Sequence, residues 1–331
     1  MDSATRARYV LACLASTCVV DCSNPKPRDP VFEVAFDASE MWLLNVWGPD
    51  GSDLVYAVGG TKEEGRLMRY DGQDWERVEL DEDVPLLTWA WGFAEDDITI
   101  VGNEGTALHY DGDEWTLQPT PTEQNLWGVW GEVPDDLWAV GGRGNEEEDR
   151  TLLHFDGDTW EAVEVPELER AGVSAFFKVW GTSSDNVYVV GRNGAVLHFD
   201  GDEWSELLVG ASDDLISLWG TGPDNIVAVG GRNSGVVSVF DGDEWRSDSL
   251  PRYPGLNGIW MRDPDHACVV GAFGTILVID PATLELSDET YDTRLDLHGV
   301  FGSEERLFAV GGNFKNTVPP YDGIALWRPL D

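Results

Sequence analysis

Short apolar runs broken by Gly-rich and Asp-rich turns recur along this chain at a nearly constant interval. One unit reads Leu126-Trp127-Gly128-Val129-Trp130-Gly131, turns at Pro134-Asp135-Asp136, continues from Leu137 to Val140 and closes on Gly141-Gly142. After a variable loop come Thr151 to Phe155, then Asp156-Gly157 and Trp160. Runs this short, rich in Val, Trp and Leu and bounded by turn residues, predict strands. No stretch beyond the first residues carries an amphipathic helical pattern.

Each unit parses into four strands. The first carries an aromatic residue followed by Gly. The second ends in Val-Gly, at Val58, Val101, Val140, Val190, Val229, Val270 and Val310. The third ends in an aromatic residue and Asp-Gly, at Tyr70, Tyr110, Phe155, Phe199 and Phe240, and the fourth starts near Trp75, Trp115, Trp160, Trp204 and Trp245. Asp-Gly suits a tight hairpin, because Gly accepts a positive φ at no steric cost. In the sixth repeat this segment degenerates to Asp280-Pro281, with Leu284 read in place of the Trp.

The aromatic of the first strand falls at Trp47, Trp91, Trp130, Trp180, Trp219, Trp260 and Phe301, in steps of 44, 39, 50, 39, 41 and 41 residues. Gly follows in every copy except at Met261. That interval is the length of one four-stranded propeller blade. The seventh repeat reaches its third strand at Gly323 to Arg328, and Val31 to Phe36 form a strand with no blade of their own. The prediction is an all-β, seven-bladed β-propeller of four-stranded antiparallel blades over residues 31–331, closed by an N-terminal strand that completes the last blade.

The Gly-Gly after the second strand, then the aromatic-Asp and Trp, resemble kelch repeats. The Asp-Gly-x-x-Trp hairpin is similar to the Asp-box of sialidase-type propellers, one residue shorter and without the preceding Ser. Leu126 to Gly131 and Leu297 to Gly302 resemble the Leu-x-Gly-Val-Trp-Gly repeats of secreted bacterial propellers of the myxobacterial type. The likeness covers residues 41 to 328. It implies a fold and leaves function open, since propellers host both binding and catalysis.

Charge narrows the choice of partner. Against 62 acidic residues stand 21 basic ones, a formal charge of -41. Such a surface repels phosphate backbones and anionic lipid, so nucleic acid is excluded as a partner and a membrane is reached only through an N-terminal lipid. Residues 1–22 read as a signal peptide, with Arg6 and Arg8 before an apolar run from Tyr9 to Val20 too short to span a bilayer. Either the signal is a simple secretory one, or it is of lipoprotein type. Cys13 has the best local pattern but almost no hydrophobic segment before it, which leaves Cys18 or Cys22 as the lipidated residue. The polar, Pro-rich residues 23–30 read as a tether. A secreted or cell-envelope location follows, either as an outer-membrane lipoprotein or in the periplasm. Cys268 is the one Cys in the body and lies inside an apolar strand, where a buried small residue is expected.

Candidate chemistry is sparse. His109, His154 and His198 share one third-strand position, but equivalent atoms of neighbouring blades there lie about 10 Å or more apart, too far for a shared metal. No cofactor is called for. Paired carboxylates such as Asp111 and Asp113 invite calcium, yet turn chemistry explains the first Asp and nothing supplies the further oxygens.

The loops after the second and fourth strands emerge on one face around the central channel. There the residues after the strand-two glycines vary, which nominates Asn103, Arg143, Arg192, Arg232, Phe273 and Asn313 as ligand-binding. Three Arg in successive blades either grip a carboxylate or phosphate, or pair with Asp and Glu of adjacent loops. The expected function is a monomeric, non-enzymatic module that binds a protein or carbohydrate at the cell surface. The alternative is a glycan-acting hydrolase or lyase using the same face. A sialidase-like site would add a Tyr-Glu pair and an acid Asp, which the sequence does not reveal. A purely structural surface element is the third reading.

Overall fold

The computed structural model describes residues 31–330, apart from 145, 315 and 317. The predicted signal, the tether, Cys18 and Cys22 lie outside the described residues.

Seven four-stranded antiparallel sheets follow one another along the chain. Their innermost strands are Trp42–Trp47, Leu87–Ala94, Leu126–Val133, Phe176–Ser183, Leu215–Gly222, Leu256–Asp263 and Asp296–Gly302. The second strands, such as Val55–Gly60 and Asn186–Gly191, are buried nearly throughout. A neighbouring blade covers each of their faces, so the sequence there reads as a continuous apolar run and not an alternation. The outer strands, such as Trp75–Val78, leave their middle residues in water.

The hairpins form as the sequence predicts. Asp71, Asp111, Asp156, Asp200 and Asp241 each accept hydrogen bonds from the backbone N–H groups two and three residues on, at 2.8 to 3.1 Å. Those bonds hold the exposed carboxylates below their ordinary range. Outer strands start at Trp75, Trp115, Trp160, Trp204 and Trp245. In the sixth blade the structure corrects the sequence reading. Leu284 sits in the turn at φ 58°, and Leu286 pairs with Ile279 as the Trp residues pair elsewhere.

Closure also follows the prediction, over a shorter span. Glu33–Val34 pairs with Gly323–Pro329, Glu33 opposite Trp327 and Val34 opposite Leu326. The Ala35 N–H adds a bond to Ala325 O at 2.8 Å. Val31 and Phe36 leave the ladder: Val31 is exposed, and the Phe36 ring packs tilted against Trp75 of the first blade, with centroids 4.8 Å apart. Phe32 is wholly buried and anchors the segment.

The aromatic-Gly element is explained by the contact between blades. Tips of the Trp47, Trp130, Trp180 and Trp260 rings lie where a Cβ on Gly92, Gly181, Gly220 and Gly302 would stand, 2.2 to 2.9 Å away. Each ring of one blade therefore lies over the glycine of the next. Blade six carries Met261 at that position, and Trp219 before it turns to the axis, reaching Trp91 of blade two at 6.2 Å between ring centroids. Blades two and five are not adjacent, so this pair reaches across the channel and narrows one end.

Candidate functional site

At the other end of the channel, every inner strand carries a β-bulge at the same place. The ladder to the second strand skips Leu44, Thr88, Trp127, Phe177, Ile216, Asn257 and His298. A bulge re-aims a side chain, and is common beside binding sites. All seven bulged residues line one cavity of about 310 Å³, together with Lys178, Arg232 and Phe314. Seven equivalent positions thus hold seven different side chains.

Lys178 follows the bulge of blade four and crosses toward its neighbours. Its Nζ donates to Trp127 O at 2.6 Å and stands 3.9 Å over the Trp89 ring of blade two. No carboxylate lies within ion-pair distance of it among the described residues. Burial pushes the Lys178 ammonium down to about 7. His298 donates from Nε2 to Gly312 O at 3.1 Å, and its ring packs tilted against Phe314 with centroids 4.4 Å apart. Burial pushes its pKa down to about 4, so the ring is neutral near pH 7.

The residues nominated from sequence crown this cavity, one per blade. Arg232 alone enters it, 5.8 Å from the Phe177 ring, and its guanidinium pairs with Asp214 at 2.5 Å. Arg192 Nη1 donates to Gly144 O and, at 3.1 Å, to Ser174 Oγ, which joins its loop to that of Arg143. Arg143 donates to Glu123 O at 2.8 Å and stays exposed. The three guanidinium groups are therefore engaged separately: two with carbonyls of neighbouring loops, one with a carboxylate. Asn103 opens the turn Asn103–Gly105, and its Oδ1 is buried without a partner. Asn313 donates its N–H to Asp322 O at 2.8 Å, in the loop that carries Phe314.

Blades two, four and six share one loop. Glu104, Asn193 and Phe273 sit at φ 56° to 58°, each with its N–H bonded to a side chain of the next blade: Asn125, Asp214 and Asp296. Left-handed backbone suits Asn but strains a bulky residue. Phe273 bears that strain and still holds its ring 58% exposed, which makes it the one nominated residue with no packing reason for its identity.

The three third-strand His residues stay within their own blades. His109 meets Asp97 at 3.0 Å, His154 meets Asp136 at 2.6 Å and His198 meets Asn186 at 2.7 Å.

Sequence reading missed the bulged ring and Lys178. Their positions are regular once the bulge is known: each bulged residue stands three positions before the first-strand aromatic, and Lys178 two before Trp180.

No protein-family model matches the chain, and no curated protein sequence matches it significantly. Solved structures do. A structure titled "YCF48 bound to D1 peptide" is 17% identical, with a TM-score of 0.67 over 92% of this chain and 98% of that one. YCF48 from Cyanidioschyzon merolae is 13% identical, with a TM-score of 0.64 over 90% and 98%. The RRP9 WD40 repeats are 9% identical, with a TM-score of 0.70 over 90% and 97%. At such identity the likeness establishes the seven-bladed ring and nothing finer.

Proposed function

We propose that this chain is a non-enzymatic binding module that docks a protein partner on the loop face around the cavity. One observation carries the reading: the ring repeats itself in its packing and varies at this mouth, where bulges and loops present different side chains from every blade. Individually shaped residues on a rigid scaffold are what recognition requires. The solved relative bound to a peptide supports the same use of the fold. Carbohydrate is the second ligand class, for which the exposed Phe273 ring offers a stacking surface. The resemblance of Leu126 to Gly131 and Leu297 to Gly302 to repeats of secreted propellers, and the signal-like residues 1–22, support a place outside the cytoplasm, in the envelope or beyond it.

The test is affinity capture from the envelope of the source cell with three proteins: the parent, a variant carrying Arg143→Ala, Arg232→Ala and Phe273→Ala, and a variant carrying Glu161→Ala on an outer strand. A partner held by the parent and by the Glu161 variant, but lost by the loop variant, upholds the reading. Equal capture by all three removes the site. Turnover of a glycan panel by the purified parent would replace the binding module with the hydrolase or lyase.

A further inference from the structure

We propose that the channel cavity binds a carboxylate borne on an apolar or aromatic group, with Lys178 anchoring the charge. This goes beyond the protein-docking reading and does not rest on it, since loops can hold a partner while the cavity stays empty.

The walls come first. Leu44, Trp127, Phe177, Ile216 and Phe314 make them apolar, and about 310 Å³ at roughly 30 Å³ per water-sized group holds about ten non-hydrogen atoms. That is the size of a phenyl ring with a short acid arm, at the small end of ligand sites.

The charge comes second. The chain has 62 acidic residues, yet none lines this cavity among the described residues. Two carboxylates that act on its lining residues are already engaged. Asp214 holds Arg232 and the Asn193 N–H, and Asp296 holds the Phe273 N–H. Lys178 is left as an ammonium with three donors, one of them given to Trp127 O, over an aromatic face that favours a cation. An uncompensated cation in such a place is costly, and an anion beside it removes the cost. An apolar acid supplies both missing parts at once: filler for the walls and a counter-charge for the amine.

Proton linkage gives a specific signature. Among the charged and titratable groups around the cavity, Arg232 is neutralised by Asp214, and His298 is uncharged above about pH 4. Lys178, at about 7, is the group that changes across neutral pH. A carboxylate needs its ammonium form, so affinity falls about tenfold between pH 6 and pH 8, as that form drops from about nine-tenths to about one-tenth of the protein.

The probes are phenylacetate, phenylacetamide and phenethylamine, titrated into the full chain by calorimetry and by quenching of Trp fluorescence. Phenylacetate is expected to bind at pH 6 and weaken tenfold at pH 8, with the amide and the amine at least tenfold weaker at pH 6. Lys178→Met is expected to abolish binding while keeping the parent's circular dichroism. Ile216→Trp, which fills the cavity and leaves Lys178 in the chain, is expected to abolish it as well and covers a folding failure of the first variant.

Short peptides ending in Phe, with a free or an amidated terminus, distinguish the two sources of this chemistry. Binding of the free-terminus peptide but not of phenylacetate assigns the site to a chain end, and the reverse assigns it to a small acid. Phenylacetamide bound as tightly as phenylacetate, retention by Lys178→Met, or no binding of either acid at millimolar concentration overturns the proposal. Equal capture of the partner by the parent and the loop variant, with phenylacetate binding intact, would remove only the protein-docking reading.

Discussion

At one end of the channel the seven inner strands present Trp47, Trp91, Trp130, Trp180, Trp219, Trp260 and Phe301; three residues earlier the same strands present Leu, Thr, Trp, Phe, Ile, Asn and His. At each end the backbone repeats from blade to blade, so geometry does not explain why one end is uniform and the other varied. What differs is the neighbour. Most rings at the aromatic end lie over the glycine of the next blade, and a smaller or polar residue would leave a void in a contact that recurs around the circle. At the bulged end the side chains line the cavity, and their partners differ from blade to blade: Thr88 bonds Val101 O and Leu126 O, Asn257 bonds Leu297 O and His298 bonds Gly312 O. Repetition marks a contact that is the same around the circle, and variety marks a wall whose partners change with each blade.

Substitution at the two ends should break this symmetry in opposite ways. The largest effect belongs to the aromatic end. Trp130→Ala is expected to cost about 3–5 kcal/mol in chemical denaturation, because its ring packs on blade four and cannot be replaced by water. A loss under about 1 kcal/mol would show that the aromatic ring is ornament and not structure.

At the bulged end the sign reverses. In the folded chain Lys178 gives up its proton near 7, and in the unfolded chain near 10.5. Between those values the unfolded state binds more protons, so stability rises with pH across that window. Lys178→Met removes this dependence. It should therefore melt above the parent at pH 7 and below, with the gap closing toward pH 10.5. A gap that does not change with pH would sink the assignment of a buried, unpaired amine.

The smallest effect sharpens the contrast. Phe273→Gly relieves a left-handed backbone and loses only an exposed ring, so stability should rise by a few tenths of a kcal/mol while capture of the partner falls. Lower stability without loss of capture would make Phe273 a structural residue.

These opposed constraints also decide what the sequence discloses. The ring and its hairpins are legible because every blade repeats the same answer: Trp-Gly, Val-Gly, aromatic-Asp-Gly. So is the closure, which follows from a missing strand at one end and a spare one at the other. The cavity is not legible in that way. Alternation along a strand puts residues three apart on opposite faces, which separates Phe177 from Trp180, and the bulge overrides it. A bulge leaves no mark in the hydrophobic pattern, so Lys178 reads as one more inner-strand residue. Leu284 misleads for a related reason: Pro281 and a longer turn shift the start of the outer strand to Leu286. The loop residues Asn103, Arg143, Arg192, Arg232, Phe273 and Asn313 were found by their variability, which locates the face but not which of them reach the cavity.

The pairing of Glu33–Val34 with Gly323–Pro329 has a consequence for how the chain comes into being. A ribosome delivers Glu33 among the first residues of the ring and Trp327 among the last. Throughout synthesis of six blades the early segment must stay unclaimed, with the buried anchor Phe32 still in water, while every other strand can join its sequence neighbour at once. Blades assemble in order, but the circle locks only once the Gly323–Pro329 strand of blade seven has emerged. A chain cut short anywhere before blade seven keeps a raw sheet edge and an orphaned Phe, both of them marks by which folding machinery can recognise an unfinished product.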